Sequence, residues 1–196
     1  MTSTPLNLQR GMNMVEIMVT IAIVAIVTTI GAPSMAQWME NTQIKSSAQS
    51  VLNGLQLARG EAVRRNAAVK FVLTDAAGTT GWSVGCVTVT AACVADIQTG
   101  SAADGGKNAR LGVSTAAQAA KDYATPIAAG SGMDGAASVT YTAFGQVAAA
   151  AVNVTRIDVT SSVDASARRL VIRIPAGGSA SLCDPGLPAA NLQSCN

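Results

Sequence analysis

The sequence predicts an α+β protein: a long N-terminal helix, apolar in its first half, followed by an antiparallel β-rich head. Three observations carry this. Residues 11–33, GMNMVEIMVTIAIVAIVTTIGAP, form an apolar run with a single carboxylate, Glu16. Past Pro33 apolar residues recur at three- and four-residue steps, the period of a helix with one buried face. Beyond Asn66 the texture changes to short β-rich runs separated by Gly, Ala, Thr and Asp.

Composition narrows the chemistry. Hydrophobic residues make up 49% of the 196 but aromatics only 3%, so the core is built from Val, Ile, Leu and Ala. A net charge of +2 is too small to imply nucleic-acid binding by bulk electrostatics. There is no histidine, which removes Ser-His-Asp and Cys-His nucleophile pairs and imidazole metal sites together. No Gly-rich phosphate loop or usefully spaced carboxylate pair points to an enzyme or a cofactor, and Asp96, Asp104 and Asp134 read as turn formers. Four cysteines fall as two close pairs, Cys86 with Cys93 and Cys183 with Cys195. Downstream of an export segment this reads as two disulfides; zinc is the alternative, without a C-x2-C spacing or a histidine to favour it.

The N-terminal run admits three readings. A secretory signal peptide would use Arg10, the apolar stretch Ile17 to Ile30 and a small-x-small site at Ser34-Met35-Ala36. A plain anchor from Met12 to Met35 would reach about 36 Å as a helix, sufficient to span the hydrocarbon. Neither explains Glu16, since a carboxylate in the membrane costs about 2.5 to 3.5 kcal/mol. A cut between Gly11 and Met12 does: the new α-amine then lies four residues from Glu16, on the same helix face, and offers it an opposite charge.

Gly11-Met12-Asn13-Met14-Val15-Glu16 resembles the prepilin peptidase site of type IV pilins and type II secretion pseudopilins. The resemblance implies cleavage after Gly11, N-methylation of Met12, and pairing of Glu16 with the amine of an adjacent subunit during assembly. Met12 departs from the family's usual Phe at the first mature position. Pro33 matches the helix-loosening proline that many of these proteins carry.

The second half of the helix shows its stripe in Ile44, Ala48, Val51, Leu55, Ala58 and Ala62, with Lys45, Gln49, Gln56 and Arg64 between them. Gly54 and Gly60 weaken it by up to about 1 kcal/mol each, and Asn66 is a stop. Strands are expected over Val69 to Thr74, Trp82 to Thr90, Ser138 to Phe144, Val152 to Ser161 and Arg169 to Ile174. The Ala/Gly/Ser-rich middle, Ala95 to Gly135, is expected to hold long loops with at most one weak strand near Leu111. The domain plan is a leader over 1–11, a transmembrane and assembly helix over 12–35, and a head over 36–196 whose helix ends at about residue 66.

The head carries a resemblance as well. Leu57-Ala58-Arg59-Gly60-Glu61-Ala62-Val63-Arg64-Arg65-Asn66 resembles the L-A-R-x-E-A-x-x-R-N signature of the GspH/FimT/FimU branch. Gly81-Trp82, Phe144-Gly145-Gln146-Val147, Arg168 to Arg173 and Cys183-Asp184-Pro185 are similar to further segments of that branch. Read by itself, the signature is a solvated, positively charged helix end that complements the dipole.

A type IV pilin-like fold and a structural role follow from the resemblance: a minor pilin that helps initiate or cap a pilus. It partners other major and minor pilins through the N-terminal helix and meets the prepilin peptidase. The inner membrane holds it before assembly and the extracellular pilus after. Two alternatives stay open, a type II secretion pseudopilin and a DNA-binding pilin. In the DNA receptors of this branch a G-R-x-R motif precedes the terminal Cys-Asp-Pro; here Gly178, Ser179, Ala180 and Ser181 stand in that place, without either arginine. Arg168, Arg169 and Arg173 are then the candidate DNA contacts, with Arg169 and Arg173 on one strand face and Arg168 on the other.

Overall fold

The computed structural model describes residues 12–116, 122–133, 137–149 and 152–195, with the backbone alone at 30–33. The chain forms two compact units, Met1–Trp38 and Met39–Asn196. One helix, α1 (Met14–Arg65), contributes to both.

In the first unit α1 starts at an asparagine. The Asn13 carbonyl accepts from the Glu16 and Ile17 amides at 2.9 and 3.3 Å, which makes Asn13 the N-cap, a favoured residue there. Apolar side chains from Met14 to Val27 are exposed around the whole circumference. Thr20, Thr28 and Thr29 do not break this surface, because each hydroxyl donates to a carbonyl one turn back.

In the second unit the expected stripe is the buried face of α1: Ile44, Ala48, Val51, Leu55, Ala58 and Ala62 are all at most 1% exposed. Each fully buried Val, Leu or Ile contributes about 1.5 to 3 kcal/mol. The helix ends in a Schellman motif at Asn66, whose φ of 48° is left-handed. The Ala67 amide donates to the Ala62 carbonyl and the Asn66 amide to that of Val63, so the last turn's orphan carbonyls are satisfied.

Among the described residues eight strands follow: β1 (Val69–Leu73), β2 (Trp82–Cys86), β3 (Gln98–Gly100), β4 (Ala109–Ser114), β5 (Ser138–Tyr141), β6 (Arg156–Ser161), β7 (Leu170–Arg173) and β8 (Ser181–Cys183), with a one-turn helix, α2 (Ala102–Gly105), after β3. They make two antiparallel four-stranded sheets, ordered β3-β2-β1-β5 and β4-β6-β7-β8. Phe71, Val84, Val139 and Tyr141 of the first sheet and Leu111, Ile157, Val159 and Ile172 of the second join the α1 stripe in one core. Gly54, which looks like a weak point in the helix, is what lets the sheet approach. A Cβ there would lie 2.7 Å from the Phe71 ring and 2.9 Å from that of Trp82.

The strand expectations need correction at their ends and in the middle. The run from Trp82 stops at Cys86, where the chain turns into the Cys86–Cys93 loop. The run from Ser138 stops at Tyr141, because a turn closed by the Gly145 amide on the Thr142 carbonyl leaves Phe144 85% exposed. The run from Val152 is two pieces. The Val154 amide donates to Ser138 of the first sheet and the Thr155 amide to Ser114 of the second, and regular pairing begins only at Arg156. The middle segment contributes β3, α2 and a full six-residue β4 rather than one weak strand.

Candidate functional site

The residues singled out by the sequence fall at the N-terminal end of α1, in the two cysteine loops, at the C-terminal end of α1 and around β7. Gly11, half of the expected cleavage site, lies outside the described residues. Met12 and Glu16 are described, both exposed. Glu16 occupies the first turn of α1, three residues after the N-cap, the position at which a carboxylate meets the positive end of the helix dipole. Its place is thus favourable within one chain, before any partner amine is considered.

The cysteines pair as Cys86–Cys93 and Cys183–Cys195, with Cα separations of 5.7 and 5.0 Å. The first loop sits beside the end of α1: Arg65 Nη1 donates to the Ala92 carbonyl at 2.5 Å. The second encloses a segment tied down by the Asp184 amide on the Gln193 carbonyl and the Ser194 amide on that of Asn191.

The helix-end signature is more than a solvated positive end. Arg59 donates its Nε–H to the Gly145 carbonyl at 2.9 Å. Glu61 accepts from Arg64 and from Arg65, both at 2.6 Å. The hydrogen bond from Arg64 is the main reason its carboxyl titrates below the ordinary range, with Arg65 adding to the effect and partial burial opposing it. Arg64 remains open to solvent, whereas Arg59 and Arg65 are committed to backbone carbonyls. The signature locks the end of α1 to two loops far away in sequence.

The candidate DNA contacts are also committed. Asp158 on β6, fully buried, pairs with Arg156 and with Arg169 at 2.6 Å each. These arginines reach onward to a strap over residues 122–127: Arg156 Nη1 donates to the Asp122 carbonyl, Arg156 Nη2 to that of Thr125, and Arg169 Nη2 to those of Tyr123 and Ala124. The Ile127 amide closes the circuit on Asp158 Oδ2 at 3.1 Å. Arg173 lies over the Tyr123 ring, 5.9 Å from its centroid, and donates to the Cys195 carbonyl. Arg169 and Arg173 therefore share one face, as the spacing implies, but that face is covered. Arg168 points the other way and pairs with Asp184, with its side chain 48% exposed. The centre of this cluster, Arg156, Asp158 and Tyr123, escapes sequence reading because β6 and the strap that carries Tyr123 lie some thirty residues apart.

A family model described as type II transport protein GspH matches residues 47–178. No curated protein matches the sequence significantly. Among solved structures, the type IV minor pilin FimU of Pseudomonas aeruginosa is similar in two crystal forms. One has a TM-score of 0.48 at 20% identity, covering 81% of this chain and 99% of that one. The other has a TM-score of 0.44 at 20% identity, covering 78% and 99%.

Proposed function

The chain belongs to the GspH family of pilin-like structural subunits, and from that premise we propose that it is a minor pilin that helps initiate or cap a type IV pilus. The observation that carries this reading is the apolar helical surface from Met14 to Val27, long enough with its flanks to cross a membrane and left exposed among the described residues. Hydrocarbon or the helices of neighbouring subunits would cover it, and exchange of the first for the second costs little apolar solvation. Storage in the inner membrane, followed by extraction into a filament, is the use that fits.

In this role the prepilin peptidase removes residues 1–11 and methylates Met12. Glu16 then pairs with the amine of the next subunit, and other major and minor pilins are the partners. The head contributes shape and surface rather than catalysis. DNA is not a partner in this reading, since Arg169 and Arg173 are spent on the strap.

One second reading is favoured by a specific observation. The family model is named for type II transport, so a pseudopilin of the type II secretion system is the alternative. Deleting the gene in the native host separates the two. Loss of surface pili with normal protein secretion supports the minor pilin; retained pili with failed secretion supports the pseudopilin.

A further inference from the structure

Most sheet edges of the head are closed by the chain itself. The outward groups of β5 are taken by the segment after it: Thr142 N–H by Gln146, the Thr140 carbonyl by Ala148, Thr140 N–H by the Asn153 side chain and the Ser138 carbonyl by Val154. The outward groups of β4 are taken likewise, with Leu111 N–H on Gly78, Val113 N–H on Ser131 and Gly130 N–H on the Leu111 carbonyl.

β3 is different. The Thr74 amide bonds the Gly81 carbonyl and the Val87 amide that of Ala68, which fixes the parity of the β1–β2 ladder: Ser83 faces β1, while Trp82 and Val84 face β3. Gln98 and Gly100 oppose Val84 and Trp82, so the backbone N–H and C=O of Thr99 point away from β2. No partner meets them among the described residues. Beyond Thr99 lies a cleft of about 590 Å³ between β3 and α1. Its far wall is one face of α1, with Ser46, Gln49 and Asn53 at helical steps, and its floor is the edge of Trp82.

An unpaired strand edge is a template for another strand. Gln49 and Asn53 stand about 6 Å apart along the helix, close to the two-residue repeat of an extended chain at about 6.8 Å. Their amides can bond a backbone that runs past them. The ionised side chain lining the cleft is Asp104, and Asp96 flanks β3 at its other end, so the site disfavours a strand with carboxylates. The outward groups of β8 at Leu182 are the comparable edge, but Lys45 and Arg168 line the hollow beside it, and charge of that kind guards an edge.

We propose that this cleft binds an extended, carboxylate-free peptide strand of a partner protein, which pairs with Thr99 and becomes the fifth strand of the first sheet. The site uses the later half of α1, outside the 12–35 assembly segment, and binding does not require the chain to be a pilin.

The test uses the full chain in lipid nanodiscs and a random decapeptide phage library as the probe. Thr99→Pro removes the outward N–H without touching the β2 ladder, a place where an edge strand tolerates proline. Asn53→Trp fills the cleft from the exposed face of α1 and serves if the proline variant melts early. The expected result is enrichment of alternating sequences poor in Asp and Glu. They should bind about tenfold more weakly to either variant, the effect of losing roughly one hydrogen bond or its access. The bound peptide should slow amide exchange in the segment spanning 97–101. Failure to enrich any peptide above empty nanodiscs would overturn the proposal. So would equal binding to both variants, or glycan-array binding lost in Asn53→Trp without any peptide binding.

Discussion

Arg59 on α1 reaches the carbonyl of Gly145, 86 positions later, with its Nε–H donating at 2.9 Å. The backbone of another turn crowds this carbonyl as well. Gly178, at φ +83°, passes so close that a Cβ there would lie 2.0 Å from the Gly145 oxygen. The helix end, the turn after β5 and the turn before β8 thus meet at one oxygen. Replacing Arg59 with Ala should cost about 1 to 2 kcal/mol, the worth of a charged donor in a partly buried bond. The melting temperature should fall by about 2 to 8 °C, at roughly 2 to 4 °C per kcal/mol. Lysine should recover only part, since it lacks the planar fork. An unchanged melting curve for Arg59→Ala would refute the anchoring role.

Tyr141 is fully buried, and its hydroxyl has no hydrogen-bond partner among the described residues. Burial pushes its pKa up to about 12, with the charge of Arg59 opposing. A folded pKa above the unfolded value of about 10 stabilises the protein fully below pH 10. That contribution is lost as the pH rises from about 10 to about 12. Tyr141→Phe should be neutral or stabilising at pH 7 and should flatten the alkaline loss of stability, read by denaturant titration at several pH values. A variant markedly less stable at pH 7 would show that the hydroxyl has a partner after all.

Asp158→Asn should be severe. It leaves Arg156 and Arg169 without their buried counter-charge, and breaking such a pair costs about 3 to 5 kcal/mol. The strap over residues 122–127 should lose its hold, so proteolysis should cut there first. Cleavage at another site, with this segment still protected, would contradict the clamp.

The same cluster sets an expectation for nucleic acid. With Arg169 and Arg173 occupied and Arg168 paired with Asp184, duplex DNA should bind no better than about 10⁻⁴ M at physiological salt. Fluorescence anisotropy at two salt concentrations measures this. Low-micromolar affinity that disappears in Arg168→Ala would revive the DNA-receptor reading.

The helix was legible in the sequence because its signals are local. A stripe at three- and four-residue steps, an asparagine stop and an apolar run each declare themselves within a few turns. β1 and β2 were legible from alternation, since they bury Val69, Phe71, Leu73, Trp82 and Val84 at every second position. β3 and β8 are three residues long and bury too little to show a period. β4 was expected only as a weak strand near Leu111, because Gly112 interrupts its apolar pattern. In the fold Gly112 makes room for the end of the strap, since a Cβ there would lie 2.8 Å from the Ile127 carbonyl. The arginine cluster depends on register between β6 and β7 and on a segment some thirty residues upstream. No window of sequence contains it. Arg169 and Arg173 therefore looked like free cations on a strand face.

Three proposed events follow one another: cleavage after Gly11, methylation of Met12 and assembly into a filament through α1. Intact mass spectrometry of the protein recovered from sheared surface pili of its native host tests all three at once. The expected result is a pilus-associated species that begins at Met12 and carries one added methyl group, and its amount in the pilus fraction should fall sharply in Glu16→Ala while cleavage persists. A protein absent from the pili, with a mature start at Gln37, would contradict it.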